Sequence, residues 1–315
     1  MAMRTTVLGL AAVLLLGCKR PPQPVAVEAP AAETEPVLFV ERERLEKESE
    51  PRPQLRDGQV YVDPGEAVLG TDAGEVEELF VLCDRFDPGN CDHSWFDTEQ
   101  PRRHEVIGGY WIDRLEVSNA EYEACVAAGD CAVRRLDLCE RYQDDHGWST
   151  VDAATVEPFL APQRPAVCIT IDEAEGYCRS RGKRLPASDE WEKAARGPEG
   201  RRWPWGDAMP TCALANFSEP ERGPGCGTGL TAEVGSRPDN ASVYGALDMA
   251  GNVAEWVRPN VGGDGMYTVT PGTEGENEIR GGHWQTEAVF LRGAERGFFS
   301  AQERMIYVGF RCAGG

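Results

Sequence analysis

Ten cysteines between Cys83 and Cys312 constrain the fold more than any other feature of this chain. The sequence has 11 cysteines in 315 residues, and an apolar run from Val7 to Leu16 precedes the first of them, Cys18. That run has the length of the hydrophobic region of a secretory signal and is too short to cross a bilayer as a helix. An even number of cysteines in an exported chain predicts disulfides rather than a zinc site. We therefore expect a domain stapled by disulfides.

The spacing of these cysteines favours three local bridges. None of the ten lies in a C-x-x-C motif, which disfavours a zinc knuckle or a thioredoxin-type redox pair. Three close pairs each bracket a loop with glycine or proline: Cys83 with Cys91, Cys125 with Cys131, and Cys212 with Cys226. The residues alone leave the pairing of the other four open. Each such loop closure stabilises the fold by about 2–4 kcal/mol.

The N-terminal segment predicts a lipid anchor. Leu15-Leu16-Gly17-Cys18 is typical of a lipobox, so residues 1–17 are interpreted as a lipoprotein signal peptide and Cys18 as the acylated mature N-terminus. The alternative is ordinary signal cleavage, in which Cys18 is discarded. Lys19, rather than an aspartate, follows the cysteine, which favours outer-membrane sorting. The predicted location is the cell envelope, with the membrane bound through the acyl chains.

Residues 18–57 are predicted to be a disordered tether and residues 58–315 a single domain. The tether is mostly Pro, Ala, Glu and Arg, and it cannot bury enough apolar surface to offset its ordering entropy. Glycine, tryptophan and short loop signals then continue evenly, with no second linker. The formal net charge of −21 disfavours nucleic acid and anionic lipid surfaces as partners.

Local signals predict short strands and helices. Strands are expected over residues 59–62, 67–69 and 104–111. The last of them is expected to carry a bulge at Gly108-Gly109. Capping boxes predict helices that begin after Ser118 and Thr170, and Ser188 is expected to cap a third helix. From Arg201 onward glycine and tryptophan dominate, which predicts long irregular loops.

Eight short motifs follow one another in order from about residue 58 to the C-terminus. They are Ile112-Asp113 with Glu116-Val117-Ser118-Asn119, Pro165-Ala166-Val167, Gly182-Lys183-Arg184-Leu185-Pro186 with Glu190-Trp191-Glu192, Trp203-Pro204-Trp205-Gly206, Ala215-Asn216-Phe217, Tyr244–Asn252, Arg280–Trp284 and Gly309–Ala313. In this order they resemble the formylglycine-generating enzymes, also called sulfatase-modifying factors. The resemblance implies an α+β fold of the C-type-lectin-like, formylglycine-generating-enzyme kind, enlarged by loops and low in regular secondary structure.

The resemblance also bears on the remaining cysteines. Cysteines at the positions that match Cys178 and Cys312 form a structural disulfide in the family. With that pair assigned by resemblance, Cys139 and Cys168 are left for the fifth bridge.

A calcium site is implied by the resemblance in the loop from Asp248 to Glu255. The matching ligands are the carboxylates of Asp248 and Glu255 and the carbonyls of Gly251 and Val253. Calcium favours several oxygen ligands at flexible geometry, which suits this set. The alternative is that Asp248 caps a turn and that Glu255 is a surface charge.

A second calcium site of the family has only a partial match. Its ligands here would be Asn216 and the carbonyl of Phe217. No convincing acidic partner lies between Glu219 and Glu233, so the resemblance supports this site less than the first.

The two redox cysteines of the family are replaced. Aligning Gly281-Gly282-His283-Trp284 with the family segment places Thr286 and Leu291 where those cysteines belong. In the family the thiolate pair binds copper(I), an ion that soft thiolates select. Copper is therefore not expected here. His283 is a single imidazole and is interpreted as a structural loop residue.

These observations predict a cell-envelope lipoprotein whose domain is a catalytically inactive binding or structural module. Its expected partner is a protein, a peptide or a glycan. One alternative is an enzyme of a different chemistry on the same scaffold, such as the cysteine-independent oxidation of siderophore maturation. The other is a formylglycine-generating oxidase that acts on sulfatases through other cysteines.

Overall fold

The computed structural model describes residue 56 and residues 58–86, 88–143, 147–261, 267–268 and 276–314. The expected signal peptide, Cys18 and the tether apart from residue 56 lie outside the described residues, so the anchor and the domain boundary stay predictions. Within these ranges no helix is both long enough and apolar enough to cross a bilayer.

Five α-helices lie in the described part of the chain. They are α1 Ala73–Phe86, α2 Asn119–Ala128, α3 Ala153–Val156, α4 Ile171–Ser180 and α5 Ser188–Arg196. Helices α2 and α4 begin at the predicted capping boxes. In both, the hydroxyl of the cap residue, Ser118 or Thr170, accepts a hydrogen bond from a backbone N–H of the first turn, and the glutamate three residues on accepts from the cap's own N–H.

Helix α1 was not predicted from the sequence. The carboxylate of Asp72 accepts a hydrogen bond from the backbone N–H of Glu75 at the helix start. Val76, Leu79 and Cys83 recur at three- and four-residue spacing and are buried. This apolar stripe attaches the helix to the core.

The start of α5 differs from the prediction by one residue. The N-cap is Ala187, and the carboxylate of Glu190 accepts from its backbone N–H at 2.8 Å. Ser188 is the first helical residue. Its hydroxyl donates instead to the carboxylate of Glu278, at 2.6 Å.

Short 3-10 helices connect the main elements of the described chain. They are His93–Glu99, Leu136–Leu138, Glu157–Leu160, Pro224–Gly227, Pro238–Asn240 and Ala288–Leu291. After residue 201 the described residues contain 3-10 helices but no α-helix, as the glycine-rich sequence predicted.

Thirteen strands lie in the described ranges. They are β1 Gln59–Val62, β2 Gly65–Leu69, β3 Arg103–Ile107, β4 Tyr110–Asp113, β5 Glu140–Gln143, β6 Gly147–Thr150, β7 Ala254–Trp256, β8 Asn260–Val261, β9 Tyr267–Thr268, β10 Asn277–Arg280, β11 Arg296–Phe299, β12 Val308–Gly309 and β13 Ala313–Gly314. Their orders are β1-β4-β13 and β11-β10-β7-β12, with hairpins β2-β3, β5-β6 and β8-β9. All pairs are antiparallel except β7 with β12.

The single strand predicted over residues 104–111 is wrong, because the chain forms two strands there. Strand β3 pairs with β2, whereas β4 pairs with β1 and β13 in another sheet. Gly108 and Gly109 make the crossing between the sheets. A Cβ on Gly109 would collide with the side chain of Tyr61, so the second glycine is required by close packing.

The core of the described residues consists of four apolar clusters, three of which contain fully buried tryptophans. Trp191, Trp203, Trp256 and Trp284 are fully buried. Buried aromatic side chains supply large apolar area, and here they fill the space between short elements that could not form a core alone.

Five disulfides staple these elements. They join Cys83 with Cys91, Cys125 with Cys131, Cys139 with Cys168, Cys178 with Cys312, and Cys212 with Cys226. The longest loop, of 134 residues, is closed between α4 and the C-terminal segment. The prediction of a disulfide-stapled α+β fold that is low in regular structure is confirmed.

Candidate functional site

A small cavity lies where the end of β10 meets the loop that follows it. Its volume is 140 Å³, and its lining includes Arg280, Gly282, His283, Thr286 and Glu295. Strands β10 and β11 pair beside it, with Arg280 opposite Arg296. The parallel pairing of β7 and β12 extends this sheet into the core. The four-stranded sheet thus forms one wall of the cavity, and an irregular loop forms the other.

Thr286 and Leu291 converge on Gly282. A Cβ built on Gly282 would lie 3.0 Å from the hydroxyl oxygen of Thr286 and 2.9 Å from Cδ2 of Leu291. The two positions that the resemblance matches to redox cysteines are therefore neighbours in this fold. Gly282 has a φ of 65°, in the left-handed region where glycine has no steric penalty. Because Gly282 has no side chain, there is space for the side chains of Thr286 and Leu291 to come together.

Neither of these two positions carries a sulfur atom or an ionisable side chain. The hydroxyl of Thr286 accepts a hydrogen bond from the backbone N–H of His283 and donates to its carbonyl, both at 2.9 Å. Leu291 is fully buried and offers only a hydrocarbon surface. Neither side chain supplies a soft ligand for copper(I), because that ion favours sulfur donors.

His283 is a neutral imidazole at the cavity wall. Burial lowers the pKa of His283 to about 3. Its Nδ1 accepts a hydrogen bond from the backbone N–H of Gln285 at 3.2 Å, so the proton of the neutral ring is on Nε2. The ring stacks on Tyr307 with centroids 4.1 Å apart. The predicted structural role of His283 in its loop agrees with these contacts, and Nε2–H adds a donor at the cavity.

Buried charges that the sequence analysis did not single out surround this cavity. The carboxylate of Glu192 contacts Arg196 at 2.6 Å, Arg280 at 2.5 Å and Arg296 at 3.3 Å. Burial raises the pKa of Glu192, but the charges of Arg280 and Arg196 outweigh it and hold the pKa well below its ordinary range. Glu192 and Arg280 each belong to one of the motifs that carry the family resemblance. That membership was the only sign of these buried charges in the sequence.

A second buried group pairs two carboxyls beneath an arginine. The guanidinium of Arg292 donates to both oxygens of Glu99 at 2.6 Å, and it approaches Glu295 at 3.3 Å. Burial, and then the negative charge of Glu99, raise the pKa of Glu295 well above its ordinary value. The protonated form of Glu295 is therefore favoured more than that of an exposed glutamate, and Glu295 lines the cavity.

The loop from Asp248 to Glu255 has its carboxylates occupied by protein donors. Asp248 accepts from the backbone N–H of Gly235 at 2.6 Å and from the side-chain amide of Asn240 at 2.9 Å. Glu255 accepts from Arg311 at 2.6 Å and from the indole N–H of Trp191 at 2.8 Å.

These partners fit a calcium site poorly, because the guanidinium already balances the charge of Glu255. The alternative that Glu255 is a surface charge is wrong, since the residue is fully buried. Calcium at Asp248, Gly251, Val253 and Glu255 stays a prediction.

The residues of the second predicted calcium site also have other partners. The side-chain amide of Asn216 donates to the carbonyl of Leu230 at 3.0 Å, and the carbonyl of Phe217 accepts from the backbone N–H of Cys226 at 2.8 Å. Across the described ranges, no group of three or more His, Cys, Asp or Glu side chains has the arrangement of a metal site. The structure thus adds nothing in favour of this second site.

An unexpected buried acid lies beside the first loop. Glu116 is 1% exposed; one oxygen accepts from the amide of Asn252 at 3.0 Å, and the other has no hydrogen-bond partner among the described residues. Burial, and then the charge of Asp248, raise the pKa of Glu116 well above its ordinary value. Local sequence does not predict this burial, because Glu116 precedes a helix like an ordinary surface glutamate.

The comparisons with known proteins agree with this architecture. The family model of the sulfatase-modifying factor enzyme 1-like domain matches residues 45–314. The hercynine oxygenase of Mycolicibacterium thermoresistibile is 32% identical over 251 residues, which cover 69% of this chain and 53% of that protein. The formylglycine-generating enzyme of Bos taurus is 26% identical, over 94% of this chain and 84% of its own length. The solved structure of PvdO from Pseudomonas aeruginosa aligns with a TM-score of 0.56 and 22% identity, over 81% of this chain and 93% of that one.

Fold and site together define an α+β protein of the formylglycine-generating-enzyme fold. The chain belongs to the sulfatase-modifying factor enzyme 1-like family, as the ordered motifs indicated. It spans about half the length of the hercynine oxygenase it resembles. The likeness to PvdO establishes the fold alone.

Proposed function

We propose that this domain is a non-catalytic binding module that uses the cavity beside His283 as its ligand site. One observation carries the proposal: Thr286 and Leu291 converge on Gly282, where a thiolate pair would be needed for copper-dependent oxidation. The hydroxyl of Thr286 is held between the backbone N–H and the carbonyl of His283. The scaffold keeps a cavity at this point while its reactive side chains are replaced.

The cysteines support the same proposal. All ten cysteines in the described ranges are joined in disulfides, so none of them offers a thiolate to a metal or a substrate. This disfavours a formylglycine-generating oxidase that acts through other cysteines.

The ionisable groups at the cavity are also unsuited to activating a nucleophile. His283 uses Nδ1 to accept from a backbone N–H, and burial together with the charge of Glu99 raises the pKa of Glu295. An activated nucleophile needs an adjacent base with a free lone pair directed at it. Glu295 and His283 instead present polar groups that suit recognition.

The N-terminal segment completes the proposal. An acylated Cys18 and a tether over residues 18–57 would display the domain from a membrane of the cell envelope, towards a protein, peptide or glycan partner. Radiolabelled palmitate incorporation that is lost in a Cys18→Ser variant would support this anchor. A calcium ion in the 248–255 loop would be supported if EGTA lowered the melting temperature.

An oxidase of different chemistry is the second candidate function. The identity of 32% to a hercynine oxygenase favours it, as does the survival of a cavity at the family's catalytic position. Oxygen consumption by the purified domain with a candidate substrate would distinguish this function from simple binding.

Copper binding provides the test of the proposed function. The wild-type domain is compared with a double variant, Thr286→Cys with Leu291→Cys, in a competition with a copper(I) chelator and in an assay on a Cys-x-Pro-x-Arg peptide. We expect the wild type to bind no copper(I) and to leave the peptide cysteine unchanged. Because the two positions are neighbours, the reduced double variant should compete for copper(I). Aldehyde formation by the wild type would overturn the proposal.

A further inference from the structure

We infer that the ligand of the cavity beside His283 presents a carboxylate, which is held by the side chain of Arg280. This inference rests on the proposed function and specifies the chemical class of its ligand. A buried donor at the cavity has no acceptor, and three further features of the cavity also favour a carboxylate ligand.

The donor is the Nε–H of Arg280. Arg280 is 1% exposed and lines the cavity. Its terminal nitrogens donate to Glu278, to Glu192 and to the carbonyl of Gly293. Its Nε has no hydrogen-bond partner among the described residues. Buried donors in folded proteins are nearly always paired, so an unpaired one at a cavity wall indicates an acceptor that arrives with a ligand.

His283 contributes a second donor at the same cavity. Its Nδ1 is occupied by the backbone N–H of Gln285, which leaves the ring proton on Nε2. Within the described part of the chain, no hydrogen bond of Nε2–H to another residue is present. A carboxylate carries two oxygens, one for each of the two donors.

The charge around the cavity favours an anion. Four arginines, at positions 196, 280, 292 and 296, face four glutamates, at positions 99, 192, 278 and 295. Burial, and then the charge of Glu99, raise the pKa of Glu295 well above its ordinary value, so this carboxyl opposes an anion less than an ordinary glutamate would. Arg296, like Arg280, has an Nε without a hydrogen-bond partner among the described residues. Unpaired guanidinium N–H groups favour a negatively charged acceptor.

The size of the cavity limits what accompanies the carboxylate. A volume of 140 Å³ suits an acid group with a short carbon chain and is too small for a large cofactor. Two sources share this chemistry: a small free acid, and a carboxylate at the end or on a side chain of a peptide. The experiment below separates them.

The test follows the Nε–H resonance of Arg280 by NMR while acetate, acetamide, tri-alanine and amidated tri-alanine are titrated up to about 50 mM, a range suited to ligands of few atoms. We expect acetate to shift this resonance and to bind at least about tenfold more tightly than acetamide, because charged acceptors form the stronger hydrogen bonds. Binding of acetate alone would assign a small free acid. Tighter binding of tri-alanine, lost on amidation, would assign a peptide chain end.

Variants give a second readout, since Arg280 carries two buried ion pairs and its replacement risks unfolding. His283→Phe keeps the ring stacking on Tyr307 and removes Nε2–H, and we expect it to weaken acetate binding at least about threefold. His93→Phe is the matched control, because His93 stacks on Phe80 at another place in the fold. It should leave the affinity unchanged.

The inference is overturned if acetamide binds as tightly as acetate, or if no acid shifts the Arg280 resonance. Failure of the proposed function would look different. Oxidation of the bound acid, seen as a new product in the same sample, would overturn the non-catalytic role and leave the carboxylate site in place.

Discussion

The guanidinium of Arg311 and the carboxylate of Glu255, 56 residues apart in the sequence, form a fully buried ion pair. Arg311 also donates to the carbonyls of Asp113, Arg114 and Leu247, so it joins two separate segments to strand β7. The pair lies next to the predicted calcium loop and satisfies its glutamate without an ion.

Replacing Arg311 with Met should strongly destabilise the domain. The substitution leaves Glu255 buried and without a counter-charge, and breaking a buried pair in this way costs about 3–5 kcal/mol. Urea denaturation measures the change. Arg135→Met is the control: its partner Asp137 is 62% exposed, and exposed pairs contribute less than about 1 kcal/mol. Equal effects of the two substitutions would contradict the assigned importance of the buried pair.

Glu116→Gln should stabilise the domain at neutral pH. Because the folded-state pKa of Glu116 is raised, its favourable contribution is present below the unfolded value of 4.5 and is lost as the pH rises through the folded pKa. At pH 7 the wild type either buries a charged Glu116 in the core or keeps Glu116 protonated at a pH where an exposed glutamate is ionised. Each of these costs free energy, and glutamine avoids both. We expect a gain of about 1 kcal/mol at pH 7 that shrinks towards pH 4.

The comparison for Glu116 uses denaturant melts of both proteins at pH 4 and pH 7. Glu157→Gln removes a carboxylate from an exposed position and should change the stability at neither pH. A loss of stability in the Glu116→Gln variant at pH 7 would mean that its carboxylate is needed in the charged form.

His283 should make the domain less stable in mild acid. Its pKa is lowered to about 3 from 6.5, so the unfolded chain binds a proton that the folded chain excludes. The contribution of the neutral ring is fully present above pH 6.5 and is lost as the pH falls towards 3, by at most about 1.4 kcal/mol per pH unit. The His283→Phe variant should show a flatter dependence between these limits, and His93→Phe should follow the wild type. Parallel curves for wild type and His283→Phe would refute the neutral buried ring.

The disulfides should differ in strength according to the loops they close. In the chain-entropy model, the bridge of Cys178 with Cys312, which spans 134 residues, contributes about 5 kcal/mol, whereas that of Cys125 with Cys131, which spans 6, contributes about 2 kcal/mol. Paired Cys→Ala variants of each bridge, compared by urea denaturation, measure the difference. A larger loss from the short loop would show that packing strain outweighs loop entropy.

Local rules in the sequence predicted the elements whose stability is local. The capping boxes at Ser118 and Thr170 place all their partners within four residues, so helices α2 and α4 could be predicted. Helix α1 was not predicted, because acidic residues are mixed with its apolar ones and the buried positions Val76, Leu79 and Cys83 were not recognised among them. The strand over residues 104–111 was mispredicted since a crossing between two sheets depends on the close approach of Tyr61 to Gly109, which no local pattern encodes.

The candidate site likewise has features that the sequence predicts and features that depend on tertiary contacts. The sequence by itself determined the family, through eight ordered motifs, and led to the prediction that Thr286 and Leu291 stand where a thiolate pair is expected. Only the tertiary structure decided which charged groups meet beside the cavity. Arg280, Glu192, Glu295 and Glu99 come from four distant segments, and the pKa of a buried group depends on which charges the fold brings within a few ångströms of it. Sequence separation carries no information about that distance.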